Sequence, residues 1–376
     1  MDQAQATRTP ALTYDGKVGE LYGIFLMNLL WTVLTLGIFK FWATTRLRRY
    51  LWSHTRFQNE RFEYTGTGGE LFVGYLLAVL SLIGAAVAAA ILGRILYYIY
   101  QPLAALAVLL FYGGIALLAA GAIFSAQRYR LSRTLWAGIR GGMTGSMLAY
   151  GARSIGYGFL AVFTLFQLAP WRAVRLAEHR INASSLGSLR FTFRGRAREV
   201  YVPFLVTYLA TLALLAAIGY GVWTAVQGYL PLLQQVVVRD RTDAPLPPGA
   251  QAAFLRLALI GYGSLFLFGI GAALIRFWYV ALFERHVIGN STLGPLRFSS
   301  TITGRGLLWL LLGNVLILLF TLGLGLPVVI QRDMRFLARN LQVSGALDLP
   351  SLVQGNMQEP RLAEGMFQVL DGGGAF

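Results

Sequence analysis

Thr35-Leu-Gly-Ile-Phe-Lys-Phe-Trp-Ala-Thr-Thr-Arg46 returns twice without a gap, as Thr164-Leu-Phe-Gln-Leu-Ala-Pro-Trp-Arg-Ala-Val-Arg175 and Thr321-Leu-Gly-Leu-Gly-Leu-Pro-Val-Val-Ile-Gln-Arg332. In each copy an aromatic or histidine follows four residues later, at Tyr50, His179 and Phe336. Asn28 and Asn314 stand seven residues before their threonines, and Tyr157 takes that place in the middle copy. The third copy has Val328 where the first two have Trp42 and Trp171. A repeat of this kind points to an architecture assembled from one recurring supersecondary unit.

Each copy closes or crosses an apolar run. Such runs cover residues 21–42, 71–100, 102–125, 155–171, 200–230, 252–283 and 306–330. The chain is 56% hydrophobic and only 13% charged, where a soluble domain carries about a quarter. A bilayer core about 30 Å thick needs roughly 20 apolar residues in a helix, and without water the backbone of such a run is expected to be helical. The fold class expected is an all-α polytopic membrane protein. It has Thr-Leu-type apolar helices, two helical hairpins (71–125 and 200–283) and short strand-like motifs between them. The N-terminus is polar and the first run too long for a cleaved leader, so that run is expected to remain. With no cysteine, disulfides and thiolate chemistry are excluded.

The strand-like motifs also repeat. Leu12-Thr-Tyr-Asp-Gly leads to Glu20, Phe62-Glu-Tyr-Thr-Gly to Glu70, Phe191-Thr-Phe-Arg-Gly to Glu199, and Phe298 opens a weaker version. Alternating aromatics before glycine read as a short strand ending in a turn. The glutamate then falls in the first helical turn, where the dipole favours a carboxylate.

Charge bears on topology. The net charge of +16 comes from 32 Lys/Arg against 16 Asp/Glu, nearly all of it arginine between the apolar runs. If all seven runs span, basic residues fall almost evenly on the two sides. If the three Thr-Leu runs instead enter and leave on one side, 27 of the 32 lie inside, as the positive-inside bias asks. Length opposes this, because residues 21–42 as one helix would be roughly 33 Å long. Gly37, Pro170 and 323–327 are places for a bend. The expectation is therefore four spans plus three re-entrant or interfacial elements, or else seven spans. A single transmembrane domain is expected over 1–345, with repeat units near 12–125, 126–283 and 284–345. The tail 346–376 is expected to be cytoplasmic and partly disordered.

Several stretches together resemble the YjgN family of bacterial inner-membrane proteins, described only as a domain of unknown function. The likeness is carried by Thr35-Leu-Gly-Ile-Phe-Lys-Phe-Trp, by Arg46-Leu-Arg-Arg-Tyr-Leu-Trp and by Phe62-Glu-Tyr-Thr-Gly-Thr-Gly-Gly-Glu-Leu-Phe. It continues in Arg128-Tyr-Arg-Leu-Ser-Arg-Thr-Leu-Trp-Ala-Gly-Ile-Arg and in Pro170-Trp with the arginines that follow. The resemblance implies a multi-pass protein of the bacterial inner (cytoplasmic) membrane. It implies no reaction, ligand or catalytic residue.

The residues themselves show no metalloprotease, nucleophile-elbow or P-loop pattern. We expect no enzyme, no cofactor, no metal and no nucleic-acid partner. His54, His179 and His286 lie in basic segments at non-equivalent spacings and read as loop or interface residues. Asn28 and Asn314 lie inside apolar runs, where an unbonded amide is costly. With Thr35, Thr164 and Thr321 they form a candidate intramembrane polar site. Arg46, Arg48, Arg49, Arg128, Arg130, Arg175 and Arg332 are candidate contacts for anionic phospholipids of the bilayer. Two functions are weighed. A transporter or channel for a small solute or lipid suits the repeats and polar residues at depth. A non-enzymatic scaffold or lipid-interacting protein suits the arginine-rich loops. No small-molecule or protein partner is readable.

Overall fold

A computed structural model describes residues 9–10, 12–239 and 249–347. The expected C-terminal tail and most of the loop before residue 250 lie outside them. The elements run β1 (Thr9–Pro10), β2 (Leu12–Tyr14), α1 (Val18–Leu34), α2 (Lys40–Ser53), β3 (Thr55–Phe57), β4 (Glu60–Tyr64), α3 (Gly68–Ile99) and α4 (Gln101–Ser132). They continue with β5 (Thr134–Trp136), β6 (Ile139–Met143), α5 (Met147–Phe163), α6 (Ala169–Ala183), β7 (Ser184–Leu186), β8 (Leu189–Phe193), α7 (Ala197–Gln227) and α8 (Leu230–Arg239). The last are α9 (Ala250–Gly289), β9 (Ser291–Leu293), β10 (Leu296–Ser300), α10 (Gly304–Phe320), α11 (Leu326–Asn340) and β11 (Leu341–Ser344). Among the described residues, four helices, α3, α4, α7 and α9, are long and apolar enough to cross a membrane.

The contacts divide the chain into two units. One is Met1–Glu199 with Arg285–Thr301 and Leu310–Phe376; the other is Val200–Glu284 with Ile302–Trp309. All the strands belong to the first unit. In the second, Phe204 stacks on Tyr208 and meets Tyr279 edge-on at 5.6 Å. Gly271 there leaves space that the side chain of Leu214 occupies.

The expected all-α class is corrected by the first unit. Its strand-like motifs form one eleven-stranded sheet in the order β1-β11-β10-β9-β8-β7-β6-β5-β4-β3-β2. The two ends of that order are consecutive pieces of one segment. Thr9–Pro10 pairs with β11, and Leu12–Tyr14 pairs with β3. The sheet thus runs round until it nearly meets itself. Hairpins β3–β4 and β5–β6 turn through Gln58-Asn59 and Ala137-Gly138, all four at positive φ, as two-residue hairpins require.

Register brings one residue per hairpin to the same place. Phe57 faces Leu12, Trp136 faces Phe62, Leu186 faces Gly141, Leu293 faces Phe191 and Val343 faces Phe298. All five of the first-named side chains belong to a single apolar cluster. Trp136 is fully buried, and its indole N–H donates to the Phe57 carbonyl at 3.0 Å. At about 1.5–3 kcal/mol for each large apolar side chain buried, this cluster is what holds the short strands together. Gly141 stands where the other hairpins carry a larger residue because the Leu131 carbonyl lies 2.8 Å from where its Cβ would be.

Each Thr-Leu run breaks into two helices at a tight turn. Thr35 caps α1, Leu36 (φ 49°) and Gly37 (φ 90°) are left-handed, and the Gly37 N–H reaches back to the Thr32 carbonyl at 2.7 Å. Phe166 bonds Ala161 in the same way, and Gly323 bonds Leu318. This six-to-one hydrogen bond is the Schellman ending of a helix. It explains why glycine follows Thr-Leu in two copies. Gly37 and Gly323 lie in these turns as expected, whereas Pro170 and Pro327 begin the helices that follow.

Candidate functional site

The polar residues expected at depth brace their own hairpins. The Thr35 hydroxyl donates to the Trp31 carbonyl at 2.7 Å and accepts from the Phe39 N–H at 2.9 Å. Thr164 serves Leu160 and Leu168 likewise, and Thr321 serves Ile317 and Gly325. Asn28, 8% exposed, donates to the Ala43 carbonyl at 3.3 Å and accepts from the Arg46 guanidinium at 3.4 Å. Asn314 donates to the Asp333 carboxylate at 2.7 Å, while its own Oδ1 is buried without a partner. Burial pushes the Asp333 carboxyl above its ordinary range, against the amide bond and Arg332. Among the described residues, none of these five bonds to another; the partners each one has lie within its own hairpin.

A second polar layer lies at the base of the helix pairs. Tyr50, Tyr129, His179 and His286 all stand seven residues before the barrel-core residue of their hairpin. Tyr50 donates to Glu20 at 2.9 Å and Tyr129 to Glu70 at 2.8 Å, while His286 lies 3.3 Å from Glu199. Arg133 completes the Glu70 cluster at 3.1 Å. In the third pair Arg153 replaces the acid, and its guanidinium meets the His179 ring at 2.9 Å. Burial, then Arg153, lowers the His179 pKa. The glutamates of the repeated motif therefore clamp the start of one helix to the end of the next. Sequence spacing had exposed Tyr50, His179 and Phe336 as equivalent, but it gave no view of their partners.

The seven arginines fall into distinct settings. Arg48 is 1% exposed and reaches Tyr64 at 3.5 Å, which sets it apart from the exposed arginines beside it. Arg128 donates to the Gly145 carbonyl at 2.9 Å and covers the Phe124 ring. Arg130 is half-buried, and Arg332 rests against Gly313. Arg175 is exposed beside Glu178 at 2.8 Å. Arg46 and Arg49 are exposed on α2, and together they line a cavity of about 260 Å³. Phe39, Trp42, Thr45 and the N-terminal residues Thr67, Gly68 and Gly69 of the α3 segment form the rest of it. A Cβ on Gly68 would strike the Trp42 ring and backbone, so glycine is what lets α3 start against α2.

Comparison with known proteins agrees with this architecture. Residues 9–369 match the family model described as a bacterial protein of unknown function, DUF898. The inner membrane protein YjgN of Salmonella typhimurium LT2 is 25% identical over 388 aligned positions, covering 93% of this chain and 91% of that protein. YjgN of Escherichia coli K12 is 35% identical over 69 residues, 18% of this chain and 17% of its own. No solved structure matches the chain. The chain belongs to the DUF898 family, and it is a multi-pass protein of the bacterial inner membrane.

Proposed function

We propose that this chain is a non-enzymatic membrane scaffold that grips anionic phospholipids at the cytoplasmic leaflet. In this reading α3, α4, α7 and α9 span the bilayer. The three Thr-Leu hairpins dip into one leaflet and return, so every strand lies on the cytoplasmic side. Support comes from the loops: most of the 32 basic residues then fall on that side, the distribution favoured at bacterial inner membranes.

The observation that carries the reading is the apolar filling of the strand ring. Phe57, Trp136, Leu293, Leu296 and Val343 are all buried there, with Leu186 packed against them. A route for a solute through that ring would have to displace them. The spanning helices add no polar wall of their own. In the most apolar stretches of α3, α4, α7 and α9, between 0% and 6% of residues are buried within the chain, which leaves these surfaces available to lipid.

Transport is the second reading, favoured by the unpartnered Asn314 Oδ1 beside the Asp333 carboxyl. Reconstitution separates the two. The full chain in vesicles of mixed phosphatidylglycerol and phosphatidylcholine should enrich phosphatidylglycerol around itself and leave ionic conductance at the level of empty vesicles. A conductance abolished by Asn314→Leu, with no lipid preference, would contradict the scaffold.

A further inference from the structure

The cavity between α2 and α3 has the chemistry and the depth of a phosphate site. Its two guanidiniums, Arg46 and Arg49, are both exposed, and among the described residues each spends one hydrogen bond inside the protein, to Asn28 at 3.4 Å and to the Gly66 carbonyl at 3.0 Å. A guanidinium carries five donors, so most of them remain for a ligand. Opposite lie the first residues of α3, where unpaired backbone N–H groups and the helix dipole favour an anion. Thr67 caps this end through the Glu70 N–H at 3.2 Å. A Cβ on Gly69 would meet nothing within 4 Å, so that side of the helix end is open.

Depth selects the source of the anion. The apolar stretch of α3 begins at Leu71, two residues beyond the cavity, and α3 is one of the four candidate spans. On the reading above, in which α3 spans the bilayer, the cavity lies where that helix enters it, near the level of lipid phosphates. Phe39 and Trp42 are part of its lining, and aromatic residues are enriched at membrane interfaces. Above it Val73, Leu76, Leu77 and Leu80 of α3 are 41–56% exposed and offer an apolar track for acyl chains.

We propose that the Arg46–Arg49 cavity binds the headgroup phosphate of one anionic phospholipid, whose acyl chains lie along α3. The site rests on the lipid-scaffold reading above and narrows it to one place. It is asymmetric in the repeat. Ser125 takes the place of Arg46 at the next equivalent position, Arg175 keeps the arginine in the middle copy but has Glu178 where Arg49 stands, and in the last hairpin Arg332 rests on Gly313.

The test uses the full-length detergent-purified chain and measures phosphatidylglycerol retained per molecule by native mass spectrometry. Arg46→Gln with Arg49→Gln should weaken retention on the order of thirtyfold, since each of the two basic residues near the surface contributes about 1 kcal/mol. Arg46→Lys with Arg49→Lys should keep much of it. Gly69→Leu, which alters no charge and whose Cβ would meet nothing within 4 Å, places a bulky side chain at the cavity's edge and should match the double glutamine variant. Arg190→Gln with Arg194→Gln, two exposed arginines of the β8 segment, should leave retention near wild type. Equal loss in both double glutamine variants, or none with Gly69→Leu, overturns the site while the scaffold reading stands. Wild type without preference for phosphatidylglycerol over phosphatidylcholine overturns both. Competition by millimolar inorganic phosphate would mean that a free anion, not a lipid, is the ligand.

Discussion

Trp136→Ala probes the filled strand ring directly. The side chain is 0% exposed, meets Phe57 edge-on with centroids 5.3 Å apart, and satisfies the Phe57 carbonyl. Truncating a buried Trp or Phe to Ala costs about 3–5 kcal/mol, and a carbonyl left without its donor adds about 1 kcal/mol. The total of about 4–6 kcal/mol, at roughly 2 °C per kcal/mol for a chain of this size, lowers the unfolding midpoint by about 8–12 °C. Trp136→Phe retains the ring and loses the N–H, so its loss should be about 1–2 kcal/mol. The assay is the fraction of detergent-solubilised protein that stays monodisperse after heating. Trp223→Ala on α7, where the side chain is 64% exposed, is the control and should shift little. A Trp136→Ala midpoint equal to that of Trp223→Ala would refute a packed ring.

Other consequences follow from single contacts. Asn314→Leu strips the Asp333 carboxyl of its 2.7 Å donor and should cost about 1.5–3 kcal/mol; Asn314→Leu with Asp333→Leu should cost less than the two separate losses together, read from a double-mutant cycle of thermal midpoints. Gly37→Ala meets no neighbour but must hold φ near +90°, so about 1 kcal/mol of stability should be lost through backbone strain alone. His179 has a pKa lowered by burial and Arg153 from its ordinary 6.5. The folded state thus prefers the neutral ring, and its stabilisation is complete above about pH 6.5 and lost as pH falls below it. His179→Phe, the residue found at the equivalent position 336, should flatten that acid dependence in thermal melts between pH 7.5 and 5.5.

The sequence made the long helices legible because twenty-odd apolar residues in a row have one physical solution in lipid. The Thr-Leu turns were half legible. The repeat was visible, but which of Gly37 and Pro170 makes the bend depends on backbone hydrogen bonds such as Gly37 to Thr32. Four second strands showed themselves through alternating aromatics. Ile139-Arg-Gly-Gly-Met143 did not, because the close approach of Leu131 replaces an aromatic by Gly141. The three-residue first strands were too short to leave any pattern. Closure of the sheet was invisible for a different reason: Thr9 pairs with Val343, and nothing local in either stretch announces so distant a partner. Once the strands are in place, two kinds of repeat become one, with Phe57, Trp136, Leu186, Leu293 and Val343 at equivalent positions. The arginines were legible as basic loops, but their exposure was not. Only the fold separates buried Arg48 from its exposed neighbours Arg46 and Arg49.

The central claim is that all the strand hairpins lie on the cytoplasmic face while three apolar hairpins turn back within the bilayer. The cysteine-free background permits its most direct test by single cysteines at Asn59, Ala137, Ser188 and Pro295 in the strand turns, and at Gln101 between α3 and α4. In intact spheroplasts, an impermeant maleimide should label Gln101→Cys alone, and inverted membrane vesicles should reverse the pattern. Labelling of the turns at Ser188 or Pro295 from outside would contradict the account, because the sheet could then no longer be a single body on one side of the membrane.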